Sequence, residues 1–299
     1  MKKLILTSLL ATVLLVVAAC GDDTEGSQTF EFGAQSYTDP KIVGEMVKML
    51  VEDQTEHSVN MTEDIQASPQ VLTAIDREEF DFALLYSGEV YNNHFDDVEF
   101  SADPQETIEN AQEFFGPEYG ITWYDTIGFT NEYAIAIQGG FADEENISTI
   151  SDLEPFADDL ILGTDTTWIE RDNDGYRGFQ EAYGFEFGDA NGMEVSLMYE
   201  GIASDEVDVV TAYTVDPQIV EYDLRILEDD QQFFPPYDAS LVARDEVLDN
   251  FPEVAEIMES LVGSISTERM SELINEVDIQ GRSTQEVAQE FLEEEGFLN

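Results

Sequence analysis

The chain has 299 residues, 42% of them hydrophobic and 11% aromatic, a globular composition long enough for a large core in one or two domains. It carries 67 Asp and Glu against 11 Lys and Arg, a formal charge of −56, which argues against nucleic acid as a partner because phosphate binding needs a basic face. The acids are spread along the whole length and Lys41 and Lys48 are the only lysines after residue 20, a pattern that fits adaptation to concentrated salt, where the Debye length shrinks to about 3 Å at 1 M.

In chain order, MKKLILTSLLATVLLVVAAC sets two lysines before an apolar run and then small residues ending in Cys20. The apolar run is too short for a spanning helix of about 20 residues, so residues 1–19 read as a secretory signal peptide. Cys20 is the single cysteine, which excludes a disulfide framework. Val17-Ala18-Ala19-Cys20 resembles a bacterial lipobox, with Cys20 the lipidated first residue of the mature protein; an ordinary signal with an incidental Cys is the alternative. Residues 20–28 then read as the lipidated Cys and a flexible polar tether, which places the protein on the extracellular face of the cell membrane, anchored through lipid.

TFEFGAQ (29–35) predicts a strand, and PKIVGEMVKMLVEDQ (40–54) an amphipathic helix with Pro40 in its first turn. A helix over 69–78 leads into a strand over EFDFALLY (79–86). Strands follow at YAIAI (133–137) and LILGTD (160–165), then a helix near 192–204, a strand at EVDVVTAY (206–213) and a mostly helical tail over 244–294. The alternation predicts α/β architecture with mainly parallel sheets.

One internal echo carries information. Residues 79–86 and 206–213 share the pattern Glu, apolar, Asp, apolar, three small or apolar residues, Tyr, and each follows a helical segment. Two α/β lobes are expected, each with a buried strand whose carboxyl end carries a tyrosine, Tyr86 or Tyr213. Ligands of open α/β sheets sit outside such strand ends. The plainer reading, that both tyrosines only cap core strands, stays open on pattern alone.

Catalytic signals are missing. His57 and His94 are too few and too far apart for a histidine metal site, and no nucleophile elbow, P-loop or paired-cysteine spacing occurs. Residues 170–175 with Glu181 mimic a calcium loop, but Glu170 stands where Asp is usual and Arg177 where an aliphatic is usual. In so acidic a chain such matches arise by chance, and no metal or other cofactor is assigned. Aromatics are over-supplied instead: 12 Tyr, 19 Phe and 2 Trp. QQFFPPYDAS (231–240) places two prolines beside three rings. Proline fixes φ and removes N–H donors, so this rigid connector either plugs a core or holds a ring at a fixed angle.

Seven stretches in order then carry a resemblance: FGAQSYTD (32–39), EFDFALLYSGEVY (79–91), WYDTIGFTNEYAIAI (123–137), NDGYRGFQEAYGFEFG (173–188), VDVVTAYTVDPQI (207–219), LEDDQQFFPPYDAS (227–240) and LINEVD (273–278). Over residues 29–297 the chain resembles the lipoprotein substrate-binding subunits of ABC importers for glycine betaine, choline and carnitine. The resemblance implies the two-lobed periplasmic-binding-protein fold (type II), with the ligand in the interlobe cleft, no catalysis, and an ABC permease as partner. Lobe 1 is expected over 29–136 plus 239–299 and lobe 2 over 137–238. The family's aromatic cage falls on Tyr86, Tyr133, Tyr213 and Tyr237, and its polar ligand contacts on Gln35 and Asn131. Closure is expected to set Tyr213 and Tyr237 opposite Tyr86 and Tyr133.

The chain departs from the family at Ala67, where Ser is common, with Ser68 adjacent. Glu89 follows Tyr86-Ser87-Gly88. Facing the cleft, it would repel the carboxylate of betaine or carnitine and tolerate choline's hydroxyl; facing solvent, it would say nothing. Another small cation, such as a polyamine selected by carboxylates, is the competing ligand class. An extracellular enzyme lacks a nucleophile–base pair, and a ligand-free surface protein leaves the ordered tyrosines unexplained.

Overall fold

The computed structural model describes residues 26–298 apart from 93, 96–97 and 172–174. The signal segment, Cys20 and part of the calcium-like stretch lie outside the described residues. Among the described residues no helix is long and apolar enough to cross a membrane.

Among the described residues, ten strands form two five-stranded sheets. The first contains β1 (Thr29–Gln35), β2 (Ser58–Ile65), β3 (Phe82–Tyr86), β4 (Ile121–Thr130) and β10 (Asp238–Arg244), in the order β2-β1-β3-β10-β4. The second contains β5 (Tyr133–Gln138), β6 (Ile161–Asp165), β7 (Asp189–Met193), β8 (Val209–Tyr213) and β9 (Leu224–Ile226), in the order β7-β6-β8-β5-β9. The α/β, two-part architecture therefore matches the expectation. The strand directions do not: each sheet is mixed, parallel on one side and antiparallel where β10 or β5 enters. Those two strands arrive from the other half of the molecule, so no helical crossover within their own sheet forces them parallel.

The crossing point also shifts. Tyr133–Ile137 pair with Val209–Tyr213 in the second sheet, so the chain leaves the first sheet at Asn131-Glu132 and not at 136–137. An apolar run such as YAIAI is buried in either sheet, and its composition does not say which.

Local chemistry explains the elements that frame the cleft. Helix α1 (Thr38–Gln54) buries Ile42, Val43, Met46, Val47, Leu50 and Val51, the spacing of one helical face. Strands β3 and β8 are buried at all five positions, as befits central strands covered on both faces. The sequence echo is a repeated turn. Glu78 and Asp205 both adopt φ 59°, and the aspartate three residues on caps the neighbouring parallel strand in each half. Asp81 Oδ2 accepts from Glu31 N at 2.9 Å, and Asp208 Oδ2 accepts from Ile161 N at 2.8 Å. Asp208→Ala is expected to lower unfolding free energy by about 1.5 kcal/mol, the worth of a hydrogen bond to a charged group, read as a lower denaturant midpoint at unchanged slope.

Candidate functional site

The two echo strands end in tyrosines that point toward one interlobe cavity of about 180 Å³. All eight residues singled out in the sequence line it: Gln35, Ser68, Tyr86, Glu89, Asn131, Tyr133, Tyr213 and Tyr237. Their grouping differs from the expected one. Tyr133 and Tyr213 are cross-strand partners in the second sheet, with ring centroids 4.7 Å apart. Tyr86 ends β3, and Tyr237 immediately precedes its neighbour β10 in the first sheet. The cleft thus sets Tyr86 and Tyr237 against Tyr133 and Tyr213, because Tyr133 has already crossed. Tyr133 and Tyr237 meet edge to face across it, centroids 6.0 Å apart at 82°.

The FFPPY run does both jobs that its composition allows. Phe233 packs on Phe179, and Phe234 packs on Tyr133 and Trp168, within the second half. Tyr237 is held at the cavity. Its carbonyl accepts from Asn131 N at 2.9 Å. The turn Ser87–Tyr91 clamps the backbone on either side: Ser87 Oγ donates to Pro236 O at 3.3 Å and accepts from Asp238 N at 3.1 Å. A Cβ on Gly88 would meet Pro236 O at 2.6 Å and the Tyr237 ring at 2.7 Å, so glycine there lets the ring lie flat against the turn.

A layer of acids lies behind the rings. Tyr86 donates to Asp39 Oδ2 at 2.5 Å, and Asn131 Nδ2 donates to the same oxygen at 3.2 Å. The Tyr213 hydroxyl is 3.1 Å from that of Tyr133 and 3.4 Å from Asp165 Oδ2. Asp165 is fixed as the cap of the helix Thr166–Glu170, accepting from Thr167 N and Trp168 N at 2.8 Å. Burial drives the phenol pKa values of Tyr86, Tyr133 and Tyr213 well above 10.0, so these rings stay neutral at any physiological pH. Asn131 Oδ1 is buried without a hydrogen-bond partner.

Sequence reasoning missed three neighbours. Tyr37, just past the end of β1, lines the cavity as a fifth phenol, its ring 5.7 Å from that of Tyr213. The strand-end rule that picked out Tyr86 and Tyr213 applies to it equally. Arg171 sits with its guanidinium carbon 5.4 Å from the Tyr133 centroid and donates to the Tyr237 hydroxyl at 3.2 Å. It was hidden inside the calcium-like stretch. Asp39, one acid among 67, gave no signal at all.

Glu89 faces the cavity. Its Oε1 accepts from Ser68 Oγ at 2.5 Å, Ser68 Oγ accepts from Gln35 Nε2 at 3.1 Å, and Asn92 Nδ2 donates to Oε2 at 3.1 Å. Ser68, adjacent to the departure at Ala67, is therefore the hydroxyl that meets Glu89. Behind Tyr37 and Tyr213 a second cavity of about 390 Å³ is lined by Asp39, Asp216 and Asp278. Burial raises Asp39 to about 6 and Asp216 to about 7, and Asp238 near the clamp to about 6. A carboxyl whose folded pKa is raised stabilises the fold while protonated and loses that contribution as pH rises through the folded value. Unfolding temperature is therefore expected to fall as pH rises from about 4, near the unfolded carboxyl value, to about 7, and a melting series in one salt concentration checks it.

Residues 28–294 match the family model described as the substrate binding domain of ABC-type glycine betaine transport systems. The carnitine transport binding protein OpuCC of Listeria monocytogenes is 32% identical over 294 residues, covering 97% of this chain and 95% of that one. A glycine-betaine-binding protein of Pseudomonas aeruginosa is 26% identical, covering 100% of this chain and 97% of its own length. Among solved structures, a glycine betaine/carnitine/choline ABC transporter protein superposes with TM-score 0.78 at 31% identity, covering 90% of this chain and 100% of that one.

Proposed function

Since the chain belongs to the family of substrate-binding domains of ABC-type glycine betaine transport systems, and is a solute-binding protein of an importer of the glycine betaine/carnitine/choline type, we propose that it encloses quaternary ammonium solutes within its tyrosine cavity and delivers them to an ABC permease. The observation that carries this reading is the convergence of Tyr86 and Tyr237 from one sheet with Tyr133 and Tyr213 from the other on a single cavity.

A trimethylammonium group has no N–H and a diffuse charge, so hydrogen-bonding acceptors select it poorly. Neutral phenol faces offer their negative quadrupole and exclude water, at about 2 kcal/mol per desolvated contact. Four such contacts set a ceiling of about 8 kcal/mol, close to the figure for a micromolar Kd, and ordering costs subtract from it. Asp39 and Asp165 behind the rings add negative potential without touching the solute. Asn131 Oδ1 is an acceptor left for a choline hydroxyl, and Arg171 supplies a cation for solutes that carry a carboxylate. Glu89 opposes a carboxylate on the Ser68 wall, so choline is expected to bind at least as tightly as glycine betaine. A polyamine fits less well, because its several N–H donors need acceptors and the phenol faces that line most of the cavity offer none.

The signal peptide over 1–19 and lipid attachment at Cys20 complete the proposal: a protein tethered by residues 20–28 outside the membrane, with an acidic surface suited to brine. Calorimetric titration with choline, glycine betaine, carnitine and spermidine in molar salt tests it. The expected result is low-micromolar binding of choline, with glycine betaine no tighter and spermidine undetected. Tight glycine betaine with undetectable choline would end the assignment to Glu89, and spermidine alone would end the cage.

A further inference from the structure

Of the two histidines in the chain, His94 stands directly behind the Glu89 wall, and nothing above uses it. Its side chain is only 12% exposed, with Nε2 4.0 Å from Glu89 Oε2. That distance is too long for a hydrogen bond, and Nε2 is buried with no hydrogen-bond partner. The ring packs on Phe115, centroids 5.4 Å apart, and on Phe95 at 6.3 Å. A buried polar atom without a partner in a folded protein calls for an explanation.

We propose that His94 is a positioning residue for solute choice: its protonation neutralises Glu89 and so lets the cavity accept carboxylate-bearing solutes that Glu89 otherwise opposes. This rests on the reading of the cavity given under Proposed function. Among the described residues, Glu89 is the ionisable group that faces His94. Helix α3 (Pro104–Tyr119) presents the Phe115 ring to it, and Arg171 is engaged with Tyr133 and Tyr237. The apolar packing holds the imidazole pKa below its ordinary value, while the Glu89 charge pulls it back up. Near neutral pH the uncharged imidazole gives Glu89 no cationic partner, and Ser68 and Asn92 alone hold it on the cavity wall. In acid, an Nε2–H on the imidazolium gives Glu89 Oε2 a cationic partner, and the penalty on a solute carboxylate falls. By linkage, a solute carboxylate must in turn favour the protonated imidazole.

The test measures Kd for choline and for glycine betaine in steps from about pH 7.5 down to about pH 4.5, reaching well below the ordinary histidine value because burial lowers this one. The ratio of the glycine betaine Kd to the choline Kd is expected to fall at least about fivefold in acid. Asp39, Asp216 and Asp238 titrate in the same span, so His94→Gln is the deciding comparison. It should flatten the ratio, whereas a variant that keeps the full wild-type slope assigns the effect to those aspartates and overturns the proposal. The wild-type protein gives a second readout should that variant fold poorly. Its His94 resonance, followed by NMR, should titrate at higher pH with glycine betaine bound than with choline bound, and identical titrations overturn the proposal. If neither solute binds, the cavity reading falls and this one with it. If both bind with a ratio independent of pH, only the role of His94 is lost.

Discussion

Tyr237→Leu is expected to raise the choline Kd about 30-fold, the equivalent of one desolvated cation–π contact near 2 kcal/mol, and to leave the unfolding midpoint within a few degrees of the wild type. Leucine keeps an apolar side chain but discards both the π face and the hydroxyl, so its loss beyond that of phenylalanine reports the ring face. Tyr237→Phe is the matched control. It keeps the face but strips the hydroxyl that accepts from Asn92 Nδ2 at 3.0 Å and from Arg171 Nη1 at 3.2 Å, a loss of about 1 kcal/mol. Calorimetric titration of both variants separates the two terms. Leucine binding as well as tyrosine would show that shape alone fills the cavity.

Gly88→Ala is expected to have an effect of similar size on binding, though residue 88 offers the solute no side chain. The added methyl group has no room against Pro236 O and the Tyr237 ring. Either the turn Ser87–Tyr91 moves or the ring does, and overpacking of this kind costs about 1–3 kcal/mol. Moving the ring also breaks its edge-to-face meeting with Tyr133. Choline affinity should drop at least about tenfold, together with a lower denaturant midpoint. Unchanged affinity in Gly88→Ala would mean that the Tyr237 position does not matter to binding.

Much of the architecture was readable because it is local. The echo at 79–86 and 206–213 proved to be one turn-and-cap device used twice, with Asp81 and Asp208 in the same role. Strand direction was not readable for β5 and β10, since hydrophobic alternation has a period and no sense of which half a strand comes from. The same blindness misplaced the crossover and put Tyr133 with the wrong partners. Tyrosines at strand ends were visible by position, and Tyr37 could have been found by the same rule. Asp39 and Gly88 could not, because their roles are set by Tyr86, Asn131, Pro236 and Tyr237 at distant positions in the chain. Composition hid the rest: where 67 residues are acidic, the few carboxylates that matter look like all the others.

On this reading the phenol rings recognise positive charge and not shape. Titration with choline and with 3,3-dimethylbutan-1-ol, which replaces the quaternary nitrogen by carbon at the same shape, tests it most directly. Binding of choline with at least about a hundredfold advantage over the uncharged alcohol is predicted, from two or more cation–π contacts of the desolvated kind. Equal affinity for the two would contradict it and leave an apolar cavity with no preference for a cation.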